Sequence, residues 1–375
     1  MTVFILFAMV LWLAYGNGAN DNFKGVATLY GSGTATFRQA LTWATVSTFA
    51  GSLVSILLAE RLLAVFSGKG LLPEALLGEP TTLIAIGGAA ALTIMLATLL
   101  GMPTSTTHAL TGALLGIALV TSGSDVPWAS FMRLFAIPLL VSPVLAILIT
   151  VTVYPALRWV RLRADIKPDT CACVDEAPAG LSNPAGGAVA ACASVPAMRL
   201  GTVQECGSGD DGAIRGINAQ TAVDTLHYLS AGAVCFSRAV NDTPKIAALL
   251  LVLGHLDKYI ALGSVALAMA LGGVLQSRRI ADTMGKRITD LNPGQGLCAN
   301  LVTALLVLFA SRLGVPVSTT HVSCGAIFGI GVVERNAHWK TITAVLATWL
   351  TTLPLAALVG AALYRLLANG ATAPA

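Results

Sequence analysis

Charge is scarce in this chain: Asp, Glu, Lys and Arg make up 11% of its 375 residues, where soluble domains carry roughly 25%. That shortage excludes water as the main solvent, because 55% of the residues are hydrophobic and the mean hydropathy is +0.78. Aromatic residues are also few, at 6%, and no basic stripe interleaved with them is present, so no nucleic-acid partner is expected. The start, Met1 to Gly16, lacks the basic n-region and the small-x-small cleavage site of a secretory signal ahead of Asn20 and Asp21, and is expected to be the first membrane helix. No CxxC pair occurs among the seven cysteines. Four lie in the hydrophilic middle (Cys171, Cys173, Cys192, Cys206) and three in apolar segments (Cys235, Cys298, Cys324). Cys171 and Cys173 could touch a metal, but free loop thiols in a reducing cytosol account for them as well.

What the chain has in abundance is apolar sequence. Stretches near the 17 to 25 residues that cross a bilayer core as helix recur at 40–59, 82–102, 129–157, 257–276, 297–313 and 340–368. From about Tyr154 to Asn218 the composition turns to Gly, Ala, Pro, Ser and charge, including the run Pro178 to Pro184 and the pair Asp210 and Asp211. Arg158, Arg161, Arg163 and Lys167 follow a membrane helix here, which by the positive-inside rule places this linker in the cytoplasm. The expected organisation is a first membrane repeat at 1–154, a cytoplasmic linker at 155–218 and a second membrane repeat at 219–375.

The two halves repeat. Asn20-Asp21-Asn22-Phe23-Lys24 matches Asn241-Asp242-Thr243-Pro244-Lys245 at an offset of 221, and Gly68-Lys69 matches Gly285-Lys286 at an offset of 217. Pro103-Thr104-Ser105-Thr106-Thr107-His108 matches Pro316-Val317-Ser318-Thr319-Thr320-His321 at an offset of 213. The loop from Glu60 to Pro80 carries a net charge of −1 and the loop from Ser277 to Asn292 a net of +2. Opposite bias puts matched loops on opposite faces, as inverted-topology repeats require. The expected fold is an all-α integral membrane protein with two inverted-topology repeats and broken or re-entrant helices at mid-membrane.

Two kinds of segment carry chemistry. Around Gly16-Asn17-Gly18-Ala19-Asn20-Asp21 an apolar helix meets glycines and an Asn-Asp pair, so the helix is expected to unwind there and line a cavity. Asp21 and Asp242 each sit where a carboxylate costs about 2.5 to 3.5 kcal/mol on insertion scales; a water-facing turn at the membrane edge is the plainer account of one such Asp, less so of two at matched positions. Each Pro-x-Ser-Thr-Thr-His box opens with a proline fit for the first turn of a helix. Its three hydroxyls then either cap free N–H groups or face an anion at a helix N-terminus. His108 and His321 could carry protons, although a hydrogen bond to a backbone carbonyl is the commoner use of such a histidine. A Ser/His hydrolase is not expected, since nothing supplies a nucleophile elbow or a third member.

With these segments in place, the chain resembles the inorganic phosphate transporter (PiT) family of cation-coupled symporters. Gly16 to Asp21 is similar to that family's Gly-Ala-Asn-Asp signature, as are Ile280 to Thr303 and the stretch from Gly314 to His321. The resemblance implies a phosphate site at mid-membrane, no cofactor beyond Na+ or H+ as coupling ion, and a homodimer in a cell (inner) membrane. Carried over by position, Asn20, Asp21, Asn241 and Asp242 would orient the substrate and handle coupling cations, with Na+ at Asp21 and Asp242. Ser105, Thr106, Thr107, Ser318, Thr319 and Thr320 would donate hydrogen bonds to phosphate. The departures concern charge. Each half places a lysine, Lys24 or Lys245, three residues past its Asp; Arg238-Ala239-Val240 replaces the family's His-Gly; and two coupling-ion positions that are often glutamate are Thr48 and Asn300. Lys24 and Lys245 are therefore expected to stand in for bound cations, pairing with Asp21 and Asp242 or neutralising the anion; the alternative is that both snorkel to an interface. Sulfate or another tetrahedral oxyanion, a passive anion channel, and a membrane enzyme acting on a phosphate ester are the competing functions.

Overall fold

A computed structural model describes residues 2–177, 195–206, 216–254 and 256–371. The run Pro178 to Pro184, Cys192, Asp210 and Asp211 lie outside the described residues. The chain divides into two units, one of Met1–Pro155 with His227–Ala375 and one of Ala156–Leu226.

In the larger unit the first half runs through α1 (Thr2–Asp21), α2 (Ala27–Gly31), α3 (Phe37–Leu58), α4 (Glu60–Val65), α5 (Pro80–Leu99), α6 (Thr106–Ser122), α7 (Trp128–Phe131) and α8 (Ile137–Arg163). The smaller unit contributes strands β1 (Thr170–Ala177), β2 (Val195–Thr202) and β3 (Gly216–Asn218), with α9 (Val203–Cys206). The second half then runs through α10 (Ala219–Leu251), α11 (Lys258–Gln276), α12 (Arg278–Lys286), α13 (Pro293–Leu313), α14 (Thr319–Glu334) and α15 (Trp339–Ala371). Among the described residues, six helical spans are long and apolar enough to cross a membrane. Burial sorts them: α5 is 78% buried over its apolar window, whereas the span Trp128–Arg163 is 28% buried and α15 33%. The central helix is thus covered by protein, and the outer two present Leu140, Val144, Leu148, Leu350 and Leu358 outward as a lipid-facing surface does.

Local sequence sets the helix ends. Thr36 and Gln39 close a capping box on α3, and Asn292 with Gln295 closes another on α13, whose first residue is Pro293. Glu79 caps α5 by accepting from the N–H groups of Thr81 and Thr82. Gly314, in the left-handed region at φ 74°, ends α13 and turns the chain into the second box.

Several expectations are corrected here. α1 does not unwind at Gly16 or Gly18; it stays helical to Asp21 and breaks only afterwards, through a 3-10 turn at Lys24–Val26. The glycines serve packing instead. A Cβ on Gly18 would lie 1.9 Å from the carbonyl oxygen of Met269, and one on Gly272 would lie 1.9 Å from that of Tyr15, so α1 and α11 cross backbone against backbone. Gly18→Ala is therefore expected to force these helices apart and cost about 3 kcal/mol or more, read as a lowered thermal midpoint of purified protein in detergent. The second Asn-Asp pair lies inside an unbroken helix, α10, which carries Pro244 within it. Gly285-Lys286 belongs to α12 rather than to a loop. Pro103 and Pro316 precede their helices, and Ser105 and Ser318 are the N-caps.

The all-α expectation also fails in the smaller unit, where β1 pairs antiparallel with both β2 and β3 in the order β2-β1-β3. Cys173 and Cys206 are joined as a disulfide, with Cα atoms 5.2 Å apart, so they are not free thiols. A separation of 33 residues gave no cue to that pairing. Cys171 Sγ lies within 4.8 Å of both sulfurs, and the three cysteines form the buried centre of the sheet with Val203 against them.

Candidate functional site

The two Asn-Asp segments and the two boxes meet in one buried cluster. Asp21, Lys24, Arg238, Asp242 and Lys245 are each no more than 2% exposed. Desolvating an ion costs several kcal/mol, so five charged side chains in an apolar helical unit make this cluster the candidate site.

The cluster repeats across the halves. Lys24 Nζ contacts the Asp21 carboxylate and donates to the Thr104 carbonyl at 2.6 Å and to Thr320 Oγ1 at 2.5 Å. Lys245 Nζ reaches Asp242 Oδ1 at 3.5 Å and donates to the Val317 carbonyl at 3.0 Å and to Thr107 Oγ1 at 2.7 Å. Thr104 and Val317 occupy matching box positions, as do Thr107 and Thr320. Each lysine therefore bonds a carbonyl of its own half and a hydroxyl of the other. The asparagines follow suit: Asn20 Nδ2 donates to Thr98 Oγ1 at 2.9 Å, and Asn241 Oδ1 accepts from Ser311 Oγ at 3.2 Å, Thr98 and Ser311 being separated by the same 213 residues as the boxes. Asn20 Oδ1 also accepts from the Thr104 N–H, and Asn241 Nδ2 donates to Asp242 Oδ1 and the Val317 carbonyl.

One position breaks the symmetry. Asn17 and Arg238 match at the offset of 221, and they hydrogen-bond each other, Arg238 Nη1 donating to Asn17 Oδ1 at 3.0 Å. Asn17 Nδ2 lies 3.0 Å from Asp21 Oδ2 and 3.2 Å from Asp242 Oδ2, bridging the two carboxylates. Arg238 Nη2 donates to Thr48 Oγ1 at 3.0 Å, and Nη1 stands 3.8 Å from Asp242 Oδ2. Formal charge at the cluster is thus three cations against two carboxylates. Neither Asn17 nor Arg238 was a candidate on sequence grounds. Their signal was spacing, since each lies four residues before its Asp on one helix face.

The hydroxyl candidates divide by role. Thr106 Oγ1 donates to Asp21 Oδ2 at 3.2 Å, and Thr107 and Thr320 are lysine partners as described. Ser105 and Ser318 accept from the N–H groups of His108 and His321, at 3.1 and 3.2 Å, as helix caps. Thr319 is buried, and among the described residues it makes no hydrogen bond to the charged groups. Of the two coupling-ion candidates, Thr48 joins the cluster through Arg238 and Asn22. Asn300 instead pairs with Thr28 and Ser230, beside His227. His108 Nδ1 lies 3.1 Å from its own cap, Ser105, and the two box histidines face each other with ring centroids 4.3 Å apart. They border an apolar cavity of about 450 Å³ with Pro143, Phe328 and Trp349, which none of the five charged residues lines.

The chain has counterparts among known proteins. A model of the phosphate transporter family matches residues 17–360. The chain is 27% identical to the chloroplastic inorganic phosphate transporter 2-1 of Arabidopsis thaliana, over 92% of this chain and 69% of that protein. It is also 27% identical to the probable low-affinity inorganic phosphate transporter of Rhizobium meliloti, over 96% of this chain and 94% of that one. Among solved structures, one described as the sodium-dependent phosphate transporter superposes with a TM-score of 0.76 at 22% identity, covering 98% of this chain and 99% of that one, a likeness of fold. The family match takes in both Asn-Asp segments and both hydroxyl boxes, and on that extent the chain belongs to the phosphate transporter family.

Proposed function

We propose that this protein carries inorganic phosphate across a cell membrane by alternating access, coupled to a gradient of Na+ or H+. The observation that carries the proposal is the reciprocal site: two carboxylates, two asparagines, the Ser and Thr hydroxyls of two boxes and three fixed cations from both halves converge where none of these side chains is more than 5% exposed. An excess of one formal positive charge suits a singly charged tetrahedral oxyanion such as dihydrogen phosphate, and the threonine hydroxyls and helix N-termini supply donors to its oxygens. Because every charged group is enclosed, an anion reaches them only when the helices part.

The matched contacts support reading the halves as inverted repeats, with the binding site at their shared axis. Arg158, Arg161 and Arg163 toward the end of α8 support a cytoplasmic linker, whereas the Cys173–Cys206 disulfide is a bond that a reducing cytosol disfavours; a homodimer is the assembly we expect. Purified protein in liposomes should concentrate radiolabelled phosphate when an ion gradient is imposed. Unlabelled arsenate should compete, and sulfate should compete poorly. Preferential sulfate uptake would reassign the cargo, and flux without concentrative uptake would make the protein a channel.

A further inference from the structure

We propose that the ammonium groups of Lys24 and Lys245 occupy two monovalent-cation sites built into the carrier, so that phosphate moves without Na+. The inference rests on the phosphate-carrier function proposed above. An ammonium has three N–H donors, and here each donor set is met entirely by oxygen. Lys24 Nζ has the Asp21 carboxylate, the Thr104 carbonyl and the Thr320 hydroxyl; Lys245 Nζ has the Asp242 carboxylate, the Val317 carbonyl and the Thr107 hydroxyl. A simple ion pair needs only the carboxylate. A carboxylate, a main-chain carbonyl beside a helix start and a hydroxyl from the opposite half together make the oxygen set that transporters offer a small cation.

Snorkelling does not account for these lysines, because their side chains are 2% and 0% exposed. Nor is one lysine an accident of packing, because the same three oxygen types recur at both. A tethered ammonium neutralises the site as a bound ion would, but it cannot be released to the other side of the membrane. Movement of phosphate therefore cannot draw on a Na+ gradient through these two sites, and the driving gradient must be another one. Each lysine also spans the halves, Lys24 through Thr320 and Lys245 through Thr107.

The test uses the full-length protein in liposomes, with radiolabelled inorganic phosphate as the probe and choline replacing Na+ under the same proton gradient. The wild type is expected to take up phosphate equally in both media. Strict Na+ dependence of the wild type overturns the proposal while leaving the phosphate-carrier function standing; absence of phosphate uptake in both media overturns that function and this inference with it. Lys24→Ala and Lys245→Ala each leave an oxygen set and a carboxylate that has lost its ammonium, and each should become Na+-responsive. The expected gain is at least about tenfold in uptake on adding Na+, with a Na+-dependent rise in thermal midpoint of the detergent-purified variant. A thermal midpoint that does not move with Na+ in either variant overturns the cation-site assignment, whether or not those variants transport.

Discussion

Arg238→Met is expected to lower phosphate uptake by at least about 100-fold and to destabilise the folded protein by about 3–5 kcal/mol, the usual cost of removing one partner from a buried charged network. Arg238 ties Asn17 of α1 to Thr48 of α3. Its Nη1 holds Asn17 Oδ1, and Asn17 Nδ2 in turn bridges Asp21 and Asp242. Its Nη2 holds Thr48. Without the guanidinium, the amide that keeps two carboxylates together loses its orientation, and the cluster falls from one excess positive charge to none. Arg238→Lys separates these effects. It restores the charge, but an ammonium on a flexible stem does not reproduce the planar fork that spans Asn17 and Thr48. Folding should therefore recover further than uptake, read as thermal midpoint against the KM for phosphate. Equal recovery of both would reduce Arg238 to a counter-charge without a positioning role.

Much of this site could be read from sequence because a duplication reports positions twice. A lone Asp at a membrane edge or a lone Ser-Thr-Thr run has a plain structural explanation; two of each at fixed offsets do not. The apolar runs marked the positions of α3, α5, α11, α13 and α15 to within a few residues, and the run 129–157 covered most of α7 and α8 but stopped six residues before the end of α8, since a bilayer-length run of hydrophobic residues has few other folds open to it. What sequence misjudged was the use of glycine. Gly18 looked like a hinge and proved to be a contact with Met269, because glycine's two uses, unwinding and close approach, leave the same letter. Ser105 and Ser318, read either as caps or as ligand donors, both cap their helices, while Thr106, Thr107 and Thr320 reach the charged groups. Arg238 went unassigned because pairing by offset was applied to the Asn-Asp pentads and stopped three residues short of Asn17. The disulfide between Cys173 and Cys206 depends on how β1 and α9 are brought together by intervening chain, which spacing alone does not encode.

Asp21 and Lys24 should behave as one unit. Asp21→Asn leaves the buried ammonium without its counter-charge, and Lys24→Met leaves the carboxylate without its own; each single change is expected to cost about 3–5 kcal/mol. The double variant Asp21→Asn/Lys24→Met removes both charges at once, and its cost should fall short of the sum by about 2–3 kcal/mol. Stability returns in that variant without function, since neither a carboxylate nor an ammonium remains to order Asn17, Thr106 and Thr320 around the anion. The matched cycle on Asp242 and Lys245 should give a smaller coupling energy. There the charges stand 3.5 Å apart, and Asp242 also has Arg238 at 3.8 Å and Asn17 and Asn241 as donors. Among the described residues, Asp21 has Asn17 and Thr106 as further donors but no second cation beside it, and a carboxylate with a second cation beside it loses less when one is removed. Equal coupling in the two cycles, measured by chemical or thermal unfolding in detergent, would mean that Arg238 does not break the symmetry of the site energetically and that its 3.8 Å approach to Asp242 carries little of the binding.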